Sequence, residues 1–319
     1  MTDQEIKNEI IPIAKGITDE VKKAVIGKDE IIVKTLLAII AGGHILLDDI
    51  PGVGKTTLAL AFSKAMSLDY KRMQFTPDVL PADVTGFTVY NKRTDSFDYK
   101  PGAALCSLFL ADEINRTSSK TQSALLEAME EGSVTVDGVT HPLPKPFVVI
   151  ATQNPIGSVG TQMLPDSQLD RFIVRLTMGY PDLESEIAIL KSKGSAKTAD
   201  TIVPAAEAKD VLMLVSAAEE VFIDDRVYKY LASIAAATRT HPQVKLGLSP
   251  RGTVALTSMA RAAALMRGRS YVIPDDVKYI LKDVAEHRII LSAKAKAAGA
   301  SVSDVLRDIS ARIPAPSIR

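Results

Sequence analysis

The residues best suited to chemistry begin at Asp48-Asp49-Ile50-Pro51-Gly52-Val53-Gly54-Lys55-Thr56-Thr57, between a short apolar run and a helical pattern. That is the setting of a phosphate-binding loop. Glycines let successive backbone N–H groups turn toward phosphate oxygens, and the dipole of the following helix favours the anion. On this reading Pro51, Gly52, Val53, Gly54, Lys55, Thr56 and Thr57 cradle a nucleotide. Lys55 would reach the β- and γ-phosphates, and Thr56 would offer its hydroxyl to Mg²⁺. The strict pattern has glycine where this chain has Asp49, but Gly52 and Gly54 still line the tight turn.

Two further groups end apolar runs. Leu108-Phe109-Leu110-Ala111 delivers Asp112 and Glu113, the first suited to the Mg²⁺ shell and the second to polarising an attacking water. Ala151-Thr152-Gln153-Asn154-Pro155 brings Asn154 to a strand end, where an amide could orient that water. In an open parallel sheet such ligands gather at the carboxyl ends of the strands.

The elements that must position these groups follow from the spacing. Apolar runs at 44–48, 72–75, 108–111, 147–151 and 172–176 alternate with helical patterns at 55–67 and 119–131, which predicts a parallel α/β sheet. Ser119 and Gln122 read as a capping box for the second helix. Two insertions interrupt the alternation. Residues 76–99 end in a hairpin (87–90 with 96–99), and 133–140 alternate around Asp137-Gly138, a strong hairpin signal. Beyond Tyr180-Pro181 the strands stop. Helical patterns at 204–220, 224–239, 249–267 and 274–287 remain, with Ser249-Pro250 as N-cap and first helical residue, and 193–200 reads as a polar loop or hinge.

The 319 residues suffice for two domains. At 46% hydrophobic and 24% charged, disorder and fibrous folds are excluded. The single cysteine, Cys106, permits no intrachain disulfide and reads as a small core residue. The four histidines show no close metal spacing. The most apolar stretch, 36–47, is too short to span a bilayer, and with no leader pattern at the start this points to a soluble, cytoplasmic protein. The net charge of zero hides a split: 226–319 carries 16 Lys+Arg and 6 Asp+Glu, leaving 22 and 32 before it.

Taken together the motifs resemble AAA+ ATPases of the MoxR family, over nearly the whole chain from about Ala24. The resemblance rests on HILLDDIPGVGKTTLA, LADEINRTSSKTQSALLEAMEEGSVTVDG, ATQNPIG with LPDSQLDRF, and GLSPRG. The Asp48-Asp49-Ile50-Pro51 form of the loop is usual in that family. The fold so implied is an AAA+ core with a five-stranded parallel sheet, followed by a small all-α lid. Residues 1–24 would form an N-terminal helical segment, 25–180 the core, 181–200 a linker and 201–319 the lid. Lys55 and Thr56 match the Walker A lysine and Mg²⁺ ligand, Asp112 and Glu113 the Walker B pair, and Asn154 sensor 1. Val25, Ile26 and Gly27 resemble the segment that packs on adenine. Arg251 is similar to the sensor 2 arginine, expected to reach its own subunit's γ-phosphate. Arg171 looks like the arginine finger acting on a neighbour, with Arg116 as rival. The insertion near 77–86 would face a ring's pore, and the hairpin at 137–138 matches the pre-sensor 1 insert.

The resemblance implies ATP and Mg²⁺ as cofactors and a homo-oligomeric ring, a hexamer. It also implies a chaperone-like role in maturing protein complexes, often by metal insertion, beside a von Willebrand factor A domain partner. Alternatives are a metal-chelatase ATPase subunit, a nucleic-acid motor and a nucleotide-gated scaffold. Zero net charge and 5% aromatics speak against the motor. Glu113 and Asn154 speak against the scaffold. The basic C-terminal part is read as a self-assembly surface for the acidic core of a second copy.

Overall fold

The structure, a computed structural model, describes residues 1–154, 164–191 and 199–317. Five parallel strands form the central sheet: β1 (Ile45–Asp48), β2 (Tyr70–Gln74), β5 (Leu108–Asp112), β8 (Val148–Gln153) and β9 (Val174–Leu176), in the order β2-β5-β8-β1-β9. β5 and β8 are buried along their whole length, which explains their unbroken apolar runs. The register pairs Asp48 with Gln153, Ala111 with Ala151 and Gln74 with Asp112. The motif-bearing strand ends therefore share one edge.

One apolar cluster backs the sheet and runs on into the C-terminal helices. It takes in Ile17, Leu36, Ile45, Phe62, Leu214, Leu256 and Ile280. The N-terminal helices belong to it. Near the start, α1 (Asp3–Glu5) leads through a π turn (Ile6–Ile10) into α2 (Ile11–Ala24), which packs against α4 (Lys55–Ala65). α3 (Asp29–Ile40) packs on both α2 and the C-terminal helices. Lys34 ties it there by pairing with the half-buried Asp283 at 2.8 Å. A second cluster, around Phe75, Phe109, Leu125 and Phe172, fills the other face under α6 (Ser119–Glu131). Cys106 is fully buried there, and burial pushes its thiol up to about 12.

Both expected hairpins form: β3 (Gly86–Asn91) with β4 (Ser96–Pro101), and β6 (Ser133–Val136) with β7 (Val139–Pro142). Asp137 and Gly138 both take positive φ (49° and 78°), as a two-residue turn with matching twist requires. A short helix, α5 (Pro81–Thr85), leads into the first hairpin. The helix cap corrects the sequence reading by one residue. Ser118, extended at ψ 152°, accepts the Thr121 N–H, so Ser119 already lies inside α6.

After β9 the chain runs through α8 (Leu183–Lys191), which follows the short α7 (Asp166–Leu169). The expected linker at 181–200 thus opens with a nine-residue helix, N-capped by Asp182, which accepts the Ser185 N–H. Of the hinge expected at 193–200, residues 193–198 lie outside the described residues. The lid contains α9 (Ala208–Glu219), α10 (Asp225–Thr240), α11 (Pro250–Met266), α12 (Pro274–Ala285), α13 (Ala293–Ala297) and α14 (Val302–Arg312). It is not purely helical. β10 (Val244–Leu246) and β11 (Ile290–Leu291) form an antiparallel ribbon too short to stand out as an alternating pattern. Ser249 caps α11 as expected, accepting the Gly252 N–H at 2.9 Å.

Candidate nucleotide site

The loop after β1 turns through Gly52 and Gly54, at φ 85° and 97°, into the first turn of α4. Those angles are open to glycine at little cost. Lys55 is buried there, and its Nζ donates to the Asp49 carbonyl (2.5 Å), the Gln153 carbonyl (3.3 Å) and Asn154 Oδ1 (3.1 Å). Burial lowers its pKa, and the carboxylates of Asp49, Asp112, Asp48 and Glu113 work in the other direction. Thr56 and Thr57 follow on the same helical turn, half-buried. Asp49 occupies the position where the strict pattern has glycine, and its carboxylate staples the loop. Oδ1 accepts the Ile50 N–H at 2.8 Å and Oδ2 the Gly179 N–H at 2.5 Å.

Asp112, Glu113 and Asn154 meet beside Lys55. Asn154 Nδ2 donates to Glu113 Oε1 at 2.9 Å, so one amide bridges the lysine and the glutamate. Glu113 sits at φ 56°, a left-handed conformation that costs a non-glycine residue about 1 kcal/mol or more. Its N–H is held by Thr152 Oγ1 at 2.8 Å, and the same hydroxyl donates to Asp112 Oδ1 at 2.6 Å. On the other oxygens, Arg72 donates to Asp112 Oδ2 (2.7 Å) and Arg116 to Glu113 Oε2 (2.8 Å). Arg116, the rival finger, thus pairs with the glutamate of its own chain.

A cleft of about 350 Å³ opens beside the loop, lined by Val25, Ile26, Pro51, Gly52, Val53, Gly54 and Thr57 among others. Tyr180, Pro181 and Leu190 close its far wall. Gly27 serves this cleft indirectly. Its φ is 71°, and a Cβ there would lie 1.9 Å from Ser185 Oγ, so only glycine lets α8 settle against the 25–27 turn.

Two expected site residues lie elsewhere. Arg171 precedes β9 and Arg251 opens α11, and both guanidiniums meet Glu130, near the end of α6. The cleft they share includes Gly42, Gly43 and His44, which lie before the amino end of β1. The phosphate-binding loop leaves the carboxyl end of that strand. Four residues at ~3.3 Å each separate the two. Arg251, expected to reach its own subunit's γ-phosphate, thus lies beside Glu130 and Arg171 and apart from the Lys55 loop. The reason lies in the seam between core and lid. Asp170 accepts from Ser249 Oγ (2.8 Å) and from Arg288 Nε (2.7 Å). Arg288, almost fully buried, also donates to the Phe172 carbonyl at 2.6 Å. These bonds fix the start of α11 beside Arg171.

Residues 44–174 match the ATPase family associated with various cellular activities (AAA), and 236–309 match the AAA lid domain. The chain is 37% identical over 309 residues to Chaperone MoxR1 of Mycobacterium tuberculosis, covering 94% of this chain and 81% of that protein. The chain belongs to the MoxR family of AAA+ ATPases. Uncharacterized protein YeaC of Bacillus subtilis is 44% identical, with 97% of each chain covered. A crystal structure of a candidate ATPase from Cytophaga hutchinsonii superposes with a TM-score of 0.88 at 35% identity, covering 99% of this chain and 97% of that one.

Within this MoxR-family ATPase, several residues around the site escaped the sequence reading: Thr152, Arg72, Glu130, Asp170, Arg288 and the α8 wall. Thr152 stood inside the quoted ATQN motif, and a hydroxyl two residues before Asn154 was its one local signal. The others act across sequence separations that no spacing reveals. Among the described residues no helix is long and apolar enough to cross a membrane, and no His/Cys/Asp/Glu group is arranged to hold a metal ion by itself.

Proposed function

We propose that the chain is a Mg²⁺-dependent ATPase that works as a head-to-tail ring, a hexamer as the family resemblance implies. One observation carries this reading: Lys55, Asp112, Glu113 and Asn154 converge at the carboxyl edge of the sheet, while Arg171 and Arg251 converge beyond its amino edge. Each chain then holds two complementary half-sites facing different directions, an arrangement suited to a heterologous contact.

In this reading the backbone of 51–54 and Lys55 bind the phosphates of ATP, and Val25 and Ile26 pack on the base. The donor set fits the metal as well. A hydroxyl (Thr56) and a carboxylate (Asp112) are the hard oxygen ligands that Mg²⁺ prefers, in a site where four carboxylates surround one lysine. The ion would neutralise charge on the β- and γ-oxygens. Glu113 takes the proton of the attacking water, and Asn154 holds both the glutamate and Lys55 in register. Arg171 and Arg251 serve the nucleotide of a second copy, since guanidinium forks suit spread phosphate charge. On this reading Arg251, seated beside Arg171, serves the neighbour's nucleotide and not that of its own subunit.

The work done is chaperone-like, in maturing or remodelling protein complexes, with metal-cofactor insertion among such tasks and a von Willebrand factor A domain protein as partner. Support comes from family membership and from the two inserted hairpins, whose Phe87, Tyr90, Phe97 and Val139 are exposed. The opposite charges of the N- and C-terminal parts support self-assembly. Part of the basic excess is used within the chain, since Arg267 and Arg269 both pair with the buried Asp276.

The test is Glu113→Gln with and without ATP. Nucleotide binding stays within about threefold, turnover falls by more than 100-fold, and ATP shifts the protein to ring-sized species in sedimentation. Retained turnover overturns the site assignment, and a monomer at saturating ATP overturns the ring.

A further inference from the structure

The carboxylate of Glu130 stands between two arginines that come from different parts of the chain. Arg171 Nη2 approaches Oε2 at 3.3 Å, and Arg251 Nη2 pairs with Oε1. Both mounts are rigid. Asp170, just before Arg171, is tied to Ser249 and Arg288, and Ser249 caps the helix on which Arg251 is the second residue. The turn carrying Glu130 is anchored by His44, whose Nε2–H donates to the Met129 carbonyl at 3.0 Å.

The two guanidinium groups repel each other, and each long side chain carries about 2 kcal/mol of rotamer entropy. A carboxylate with one oxygen on each offsets the repulsion and selects one rotamer pair. A guanidinium has five N–H donors in a fixed fork, more than the two oxygens of Glu130, which lie against Nη2 of each arginine, can occupy. The remaining donors serve a second anion without displacing the first. All three side chains keep substantial exposure, 30% for Arg171, 38% for Glu130 and 43% for Arg251, so such an anion has access.

We propose that Glu130 is a positioning residue that holds Arg171 and Arg251 as one anion-binding unit, and that its occupant is the terminal phosphate of a nucleotide bound by a second copy of this chain. The proposal rests on the reading that these arginines act between subunits. Glu130 touches neither nucleotide nor water. It acts by aligning the two forks.

The experiment uses full-length variants mixed in pairs. Arg171→Ala subunits keep an intact phosphate loop and lack the finger, while Lys55→Ala subunits keep both arginines and lack the loop. ATP turnover by the mixture, absent from either alone, is expected. The same mixture with Lys55→Ala/Glu130→Gln subunits should turn over about tenfold more slowly, equivalent to ~1.4 kcal/mol of transition-state stabilisation. In the unmixed Glu130→Gln protein kcat falls tenfold while KM for ATP is unchanged, and Glu130→Asp recovers part of the loss. The Glu130→Gln change has no further effect in an Arg171→Ala/Arg251→Ala background. Failure of the first mixture overturns the between-subunit reading itself. Success of the first mixture with no effect of Glu130→Gln overturns only the role given to Glu130, as does an increase in kcat.

Discussion

Lys55 donates through Nζ to Oδ1 of Asn154 at 3.1 Å, and the nitrogen of the same amide donates to Glu113. A single side chain thus registers the phosphate-binding lysine against the glutamate assigned to the attacking water. Asn154→Ala removes the link without changing the loop. Turnover should fall by about 100-fold, the usual scale for losing one positioned polar group, while nucleotide affinity stays within about threefold. Stopped-flow binding and steady-state hydrolysis separate the two. A loss of affinity with kcat unchanged would show that Asn154 acts only in binding.

Thr152 holds the two acids apart in a defined geometry, donating to Asp112 and accepting from the Glu113 N–H. Thr152→Val keeps the shape and leaves that N–H buried without its acceptor. The expected cost is about 1–3 kcal/mol in urea unfolding, with a fall in kcat exceeding that of Thr152→Ser at least tenfold. A valine variant with full stability and turnover would show the hydroxyl to be dispensable.

Asp49→Gly restores the strict loop pattern yet removes both stapling bonds, to Ile50 and Gly179. A loop that must order on binding charges the cost to affinity. Nucleotide Kd should rise about tenfold by titration calorimetry, with kcat within twofold. Unchanged Kd would mean that the staple is irrelevant to the loop.

His44 ties acid stability to the sheet. It accepts the Val149 N–H at Nδ1, donates from Nε2 to Met129, and burial lowers its pKa from 6.5 to about 4. The unfolded chain therefore takes up the proton first as the pH falls. Stability is full above about pH 6.5 and declines from there toward pH 4, by up to roughly 3 kcal/mol for this residue. His287, lowered by burial and by the adjacent Arg288, steepens the same limb. Thermal melts of His44→Gln at pH 5 and pH 7.5 should differ less than those of the parent. Equal differences would refute the assignment.

The phosphate loop, the acid pair and both hairpins were legible because each is a local device: glycines before a helix, acids at a strand end, Asp-Gly between alternating residues. The inner sheet was legible because β5 and β8 are buried along their whole length and so read as unbroken apolar runs. The edge strand β2 (Tyr70–Gln74) is half-buried to exposed and carries a weaker signal. The surroundings of Arg251 were not legible, for the opposite reason. Its position depends on Asp170, Ser249 and Arg288, which lie far apart in the chain and meet only when the lid docks. Glu130 gave no signal at all, since on α6 it looks like any solvated helix acid. Ser185 and α8 went unread because their role is to fit against a glycine some 160 residues earlier.

β9 has a consequence for timing. Arg171 stands just before its amino end, and Gly179, stapled to the loop by Asp49, lies just past its carboxyl end. Only the three residues of β9 separate the two segments, so a shift at one end has little chain in which to dissipate before the other. If the proposed ring forms with Arg171 facing the next subunit, that arginine would carry the filling state of its own loop. The order of firing would then be written into a strut running through every subunit, with no separate signalling element required.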